Sequence, residues 1–356
     1  MRIRLPARSA GRRPHVAVVV PCYNYGHYLE QCVESIVGQP QVSTEVRIID
    51  DASTDGSADV AYRLADRHPE VHVVRHEQNR GHDATFNEGL SQVDSDYVVL
   101  LSADDLLAPG CLARATGLMD HNPAVGLVYG HPQSFDTAPV EVPPRCVTWT
   151  SWAGHEWTRA QFRRGLNSIY SPEAVVRTSV QHAAGYYDSR LPHSGDLEMW
   201  LRIAAIADVG RINGADQAYR RVHPASMMQT HYSGVLTDLE HRILAYQSYL
   251  STVEDETEAR RLRHVMVVRA SDEAVSWACA ALADGRDWDD ELEQAVSFAR
   301  SLNPDVQRLW SWRELQSRRS HADRGSPRDR LVDAVGAATR DLTGRVRWRR
   351  WRYLGV

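Results

Sequence analysis

Four short polar clusters carry the side chains able to do chemistry: "PCYNYG" (21–26), "DDASTDGS" (50–57), "EQNRGHDATFN" (77–87) and "SADD" (102–105). Each follows an apolar run. Asp104 and Asp105 are adjacent carboxylates, hard oxygen donors of the kind that hold Mg²⁺ or Mn²⁺. A cation held there can bridge to an anionic diphosphate. Taken singly, each cluster also reads as a turn or helix cap, because Asp and Ser satisfy free backbone amides. Together they set Tyr, Asn, Asp, Arg and His at successive strand ends. Open parallel sheets bind ligands at the carboxyl ends of their strands, and a polar edge is where a cleft forms.

The elements that carry these clusters follow from periodicity. Residues 16–20, 45–50, 71–76, 96–101 and 125–130 read as strands. In "YLEQCVESIVGQ" (28–39), Leu29, Cys32, Val33, Ile36 and Val37 share one helical face. Residues 57–68, 84–93, 110–122 and 196–207 also read as helices. The alternation predicts an α/β fold, a Rossmann-like, mostly parallel sheet with helices on both faces. Residues 131–170, with Trp149, Trp152 and Trp157, are less regular and read as an insertion beside the site. Helical patterns dominate from about residue 232. The expected division is a flexible basic leader (1–14), a main domain (15–231, halves 15–130 and 131–231), a helical region (232–343) and an Arg/Trp-rich tail (344–356).

Composition excludes several classes. A chain of 356 residues exceeds one small core. A net charge of −5 gives no reason to expect nucleic acid. The 5 cysteines are scattered without a CxxC pair, which argues against a disulfide scaffold or zinc site and fits a reducing cytoplasm. No apolar run approaches the ~18 residues of a membrane span, and the basic start lacks a signal-peptide core. All 41 basic residues are arginine, so chemistry that needs lysine is excluded. No GxGxxG follows the first strand and no GxxxxGK[ST] is present, so phosphate must be met by arginine, helix N-termini or a metal.

In order and spacing, "VVVPCYNYGHYLEQCVESIVGQ", "VRIIDDASTDGSADV", "NRGHDATFNEGL" and "VVLLSADDLLAPGCL" resemble the family 2 inverting glycosyltransferases of GT-A (nucleotide-diphospho-sugar transferase) fold. The resemblance covers about residues 15–130 and resumes at "SGDLEMWLRIA" (194–204) and "YRRVHPASM" (219–227). It implies that Pro21, Tyr23 and Asn24 line the base and ribose pocket, and that Asp51 accepts from the base. Arg80 and Asn87 would lie near the diphosphate and sugar. Asp104 and Asp105 match the acidic metal motif, with Ser102 where members often carry a further acid. Asp196 matches the general base, and Gly195 stands where a Glu often sits. His223 matches a histidine approaching the metal or diphosphate. Glu198, Trp200, Arg202 and Arg221 would serve the acceptor or support the site, and Arg220 and Arg221 would help balance the leaving group.

The implied reaction is metal-assisted, inverting transfer of a single sugar from a nucleotide-diphosphate sugar to an acceptor hydroxyl on a natural product, glycan or lipid-linked acceptor. UDP- or dTDP-sugars are expected ahead of GDP-sugars. The alternatives are a non-catalytic nucleotide-sugar-binding protein and a sugar nucleotidyltransferase; the latter usually relies on a Gly-rich loop and lysine. Residues 344–356 could rest on an anionic membrane face or form a solvated helix. The C-terminal helices could form a homodimer. The expected location is the cytoplasm, with peripheral contact at the inner membrane face.

Overall fold

The computed structural model describes residues 1–4, 13–144, 147–224, 234–321 and 346. In chain order the first unit contains β1 (Arg2–Arg4), β2 (His15–Cys22), α1 (Gly26–Val37), β3 (Ser43–Asp50), α2 (Ser57–Arg67), β4 (Val71–Arg75) and α3 (His82–Ser91). Then come β5 (Tyr97–Leu100), β6 (Leu106–Leu107), α4 (Cys111–His121), β7 (Val125–Phe135), β8 (Thr148–Trp152) and α5 (Gly154–Arg164), of which only the part up to Thr158 belongs to this unit. A 3₁₀ turn (Ser171–Glu173) leads into β9 (Val175–Arg177), α6 (Thr178–Ala184), α7 (Gly195–Ile206) and β10 (Asp208–Arg221).

The strands form one sheet in the order β1-β8-β10-β7-β9-β5-β2-β3-β4, with β6 paired to β10. The block β4-β3-β2-β5 is parallel throughout, and β7 pairs β10 in parallel. Antiparallel pairing enters where the short β9 lies between β5 and β7. Val16 to Val20 are wholly buried, as strands covered on both faces must be. Leu29, Cys32, Val33 and Ile36 put the apolar stripe of α1 against them. The N-termini of α1 and α2 meet at the sheet edge, where a Cβ on Gly26 would stand 2.8 Å from the Ser57 Cα. That contact requires glycine and brings the 21–26 and 50–57 loops together.

Two expectations are corrected. The leader is partly ordered: Arg2–Arg4 pairs antiparallel with β8. Trp149, Trp152 and Trp157 are buried and so belong to the packing of β8 and α5. The second unit takes residues 159–166 and the described residues from 234. Its helices are α8 (Val235–Leu250), α9 (Glu256–Ala283), α10 (Asp290–Leu302) and α11 (Trp310–His321), with a 3₁₀ turn (Val306–Arg308). It is helical, as read from sequence; its first segment, 159–166, was not. Among the described residues no helix is long and apolar enough to cross a membrane. Apart from residue 346, the tail lies outside the described residues.

Candidate active site

The strand-end clusters converge. After β2, Asn24 sits at φ 58° and accepts from the Thr54 amide at 2.8 Å, while its own amide donates to Ser53 Oγ at 2.9 Å. Asn tolerates this left-handed backbone; Ala52, at φ 60°, adopts it at a steric cost beside the same pocket. Pro21 pairs with Ile49 near the end of β2, and Tyr23 stays exposed. Asp55 takes bonds from Ser57 and the Gly26 amide, and the Ser57 bonds help hold its carboxyl below the usual range despite partial burial.

Asp51 is buried and committed to its own chain. Its oxygens accept from the Arg80 amide (2.8 Å), the Gly81 amide (3.0 Å) and the His76 ring (2.7 Å). His76 Nε2 stands 3.2 Å from Glu88, which Arg80 also grips at 2.7 Å. Asp51 therefore builds the 77–81 loop, and a nucleobase N–H would have to share its carboxylate. His76 and Glu88 carried no motif signal. Their pairing spans strand, loop and helix.

The acidic pair follows β5. The Ser102 carbonyl accepts the Asp105 amide at 3.0 Å, closing the turn. Asp105 Oδ1 accepts from the Arg221 amide at 2.8 Å. Asp104 Oδ2 meets His223 Nε2 at 3.0 Å, and Asp104 Oδ1 is buried with no hydrogen-bond partner. Burial and then the Asp104 charge push the Asp105 carboxyl well above its usual range. Two crowded carboxylates, an uncommitted buried oxygen and an imidazole fit a hard divalent cation. Among the described residues no three His, Cys, Asp or Glu side chains form a ready-made metal cluster, so other ligands would have to complete the shell.

Arg221 is a structural tie. Its guanidinium lies 4.4 Å from both the Tyr28 and Phe135 rings and donates to the Asp104 carbonyl and Gln31. Arg220, next in line, stacks over the exposed Tyr170 at 4.8 Å.

Asp196 occupies the first turn of α7, where the helix dipole favours negative charge. The Tyr187 hydroxyl donates to Oδ1 at 2.6 Å and the Ser171 hydroxyl to Oδ2 at 2.8 Å. Burial nevertheless raises this carboxyl above its usual range, the two hydroxyls pulling the other way. Glu173, wholly buried, is pushed far up by burial and by the charges of Asp105 and Asp196. Its Oε1 accepts the Tyr170 amide at 2.7 Å. Ser171, Glu173 and Tyr187 were invisible from spacing, because only the turn before β9 and the loop before α7 deliver them.

Three expected site residues are tied into the surrounding structure. Asn87 faces the Tyr187 backbone, donating to its carbonyl at 2.9 Å and accepting its amide at 2.8 Å. Arg202 grips Glu198 through Nε at 2.8 Å and donates to the Tyr186 and Ala184 carbonyls. These contacts hold the 184–187 turn. Trp200 is 2% exposed, so it is core and cannot offer an acceptor wall; α7 turns that face toward the sheet.

Residues 17–178 match the family described as Glycosyl transferase family 2. Over 134 residues the chain is 29% identical to the uncharacterized glycosyltransferase alr2836 of Nostoc sp., covering 36% of this chain and 42% of that one. It spans under half the length of the first curated relatives it matches. Staphylococcus aureus TarS 1–349, solved with UDP-GlcNAc, superposes at TM-score 0.61 with 16% identity over 83% of each chain. The mannosyltransferase PcManGT of Pyrobaculum calidifontis, solved with GDP-Man and Mn²⁺, gives 0.52 with 19% identity over 98% of this chain and 86% of that one. These likenesses show the GT-A fold.

Proposed function

We propose, since residues 17–178 match Glycosyl transferase family 2, that this chain is a member of that family and transfers one sugar from a nucleotide-diphosphate sugar to an acceptor hydroxyl with inversion. The observation that supports this reading is the buried Glu173 in the turn whose Ser171 hydroxyl holds Asp196 at 2.8 Å, near enough to Asp105 and Asp196 for their charges to add to the upward push of burial on its carboxyl. In this reading the acids that would face the diphosphate and the candidate base lie on either side of that turn, as a single displacement requires.

In this reading Tyr23 stacks on the base, and Pro21 and Asn24 shape the pocket. Asp51 and Arg80 hold the loop that covers it. A divalent cation, Mg²⁺ or Mn²⁺, would be held by Asp104 and Asp105 with His223, and when bound it supplies Lewis-acid stabilisation of the departing diphosphate. Arg220, which makes no carboxylate ion pair among the described residues, adds positive charge beside those acids. Asp196 takes the acceptor proton as the hydroxyl oxygen attacks the anomeric carbon opposite the leaving group. A UDP- or dTDP-sugar is the donor proposed.

The test is a thermal-shift panel of UDP-, dTDP- and GDP-sugars with and without Mn²⁺, followed by nucleoside-diphosphate release in wild type and Asp196→Asn. Asp196→Asn should keep donor binding and lose ~10²-fold or more in turnover. Because burial raises the Asp196 carboxyl, the acid limb of kcat/KM should lie above the usual aspartate value of about 3.9. Full turnover in the Asn variant would remove Asp196 from the base role.

A further inference from the structure

We propose that Tyr187 positions the Asp196 carboxylate and tunes the pH at which it works, with Ser171 as its counterpart on the other oxygen. The inference rests on the reading of Asp196 as the base. A tyrosine kept only for packing needs its ring alone. Here the hydroxyl is aimed: it donates to Oδ1 at 2.6 Å while Ser171 donates to Oδ2 at 2.8 Å. Bonds this short to a carboxylate favour its charged form. Both oxygens are thereby oriented, and an acceptor hydroxyl meets a remaining lone pair in a set direction.

The aim is over-determined. The Tyr187 amide and carbonyl are both taken by the Asn87 side chain. Its ring packs edge-on to Phe86 at 5.3 Å. Arg202, anchored by Glu198, fixes the preceding turn through the Ala184 and Tyr186 carbonyls. The phenol is itself pushed well above its usual range by burial and by Asp196, so it stays a donor. Other ionisable groups face the same carboxyl: His82 and Asp83 from α3, His193 from the loop before α7, and Glu173 from the 3₁₀ turn. The histidines favour its charged form and the acids oppose it. Among the described residues, Tyr187 and Ser171 are the side chains that hydrogen-bond it.

The deciding experiment needs no substrate. Asp196 is titrated by carboxyl ¹³C NMR in full-length protein labelled at aspartate, its resonance assigned by its loss in Asp196→Asn. Tyr187→Phe keeps the ring and deletes the donor. The Asp196 midpoint should rise by about one pH unit, a tenfold change in the ionisation constant. Ser171→Ala should raise it independently, and serves alone if the Phe variant fails to fold. An unmoved midpoint in the folded variants overturns the proposal. A pH–rate profile separates it from the base assignment: a midpoint that moves while the acid limb of turnover stays still leaves the tuning intact and sinks Asp196 as base.

Discussion

Asn87→Asp tests whether the Asn87–Tyr187 clamp is what holds the base-side turn. The amide donates through Nδ2 and accepts through Oδ1 on one backbone residue, so its orientation is determined by both partners. A carboxylate in its place can still accept the Tyr187 amide, but its second oxygen would face the Tyr187 carbonyl, whose present bond is 2.9 Å. One buried acceptor loses its donor, at about 2 kcal/mol within a range of about 1–3. Protonation restores a donor, so the folded state raises the new carboxyl above its unfolded value of about 3.9, by roughly 1.5 units for about 2 kcal/mol. The sign follows: the penalty is small below about pH 4, grows as pH rises, and is complete above about pH 5.5. The assay is the thermal or urea midpoint of the variant minus that of wild type, from pH 4 to 8. Asn87→Ala, which loses both bonds, should show a pH-independent loss. A penalty of equal size at every pH in Asn87→Asp, or none at pH 8, refutes the clamp.

Asp105→Asn should abolish the Mn²⁺-dependent part of nucleotide-sugar stabilisation in thermal shift while leaving the apo midpoint equal or higher, because one crowded buried charge is gone; retained Mn²⁺ dependence would dismiss the acidic pair as the cation site. Trp200→Ala should cost about 3–5 kcal/mol of stability through an internal cavity. Intact stability with a raised acceptor KM would return Trp200 to the acceptor surface.

The strand-end logic carried far because it is local. Apolar runs such as Val16–Val20 and Tyr97–Leu100 dictate buried strands wherever they occur, and the clusters after them must then emerge on one edge. The motifs also singled out Asp104, Asp105, Asp196 and His223, and the structure sets Asp104 against His223 and Asp105 against the Arg221 amide. What types and spacing left open were side chains whose chemistry is ambiguous. Arg221 and Asp51 look like ligand-binding groups, yet a guanidinium between two rings and a carboxylate holding two backbone amides are equally good structural ties. Trp200 lies on the expected helix, but only the rotation of α7 against the sheet decides which face is buried.

From sequence alone came the alternation that dictates an α/β sheet, the absence of lysine and Gly-rich phosphate loops, and the polar edge with its paired acids. Those depend on residue type and on neighbours a few positions away. The tertiary structure alone decided how Asp196 is held. Ser171 and Tyr187 reach it across gaps of 25 and 9 residues, and Asn87 fixes Tyr187 across 100. Such contacts depend on where the turn before β9 and the loop before α7 return to the sheet. That return is set by the packing of the whole domain.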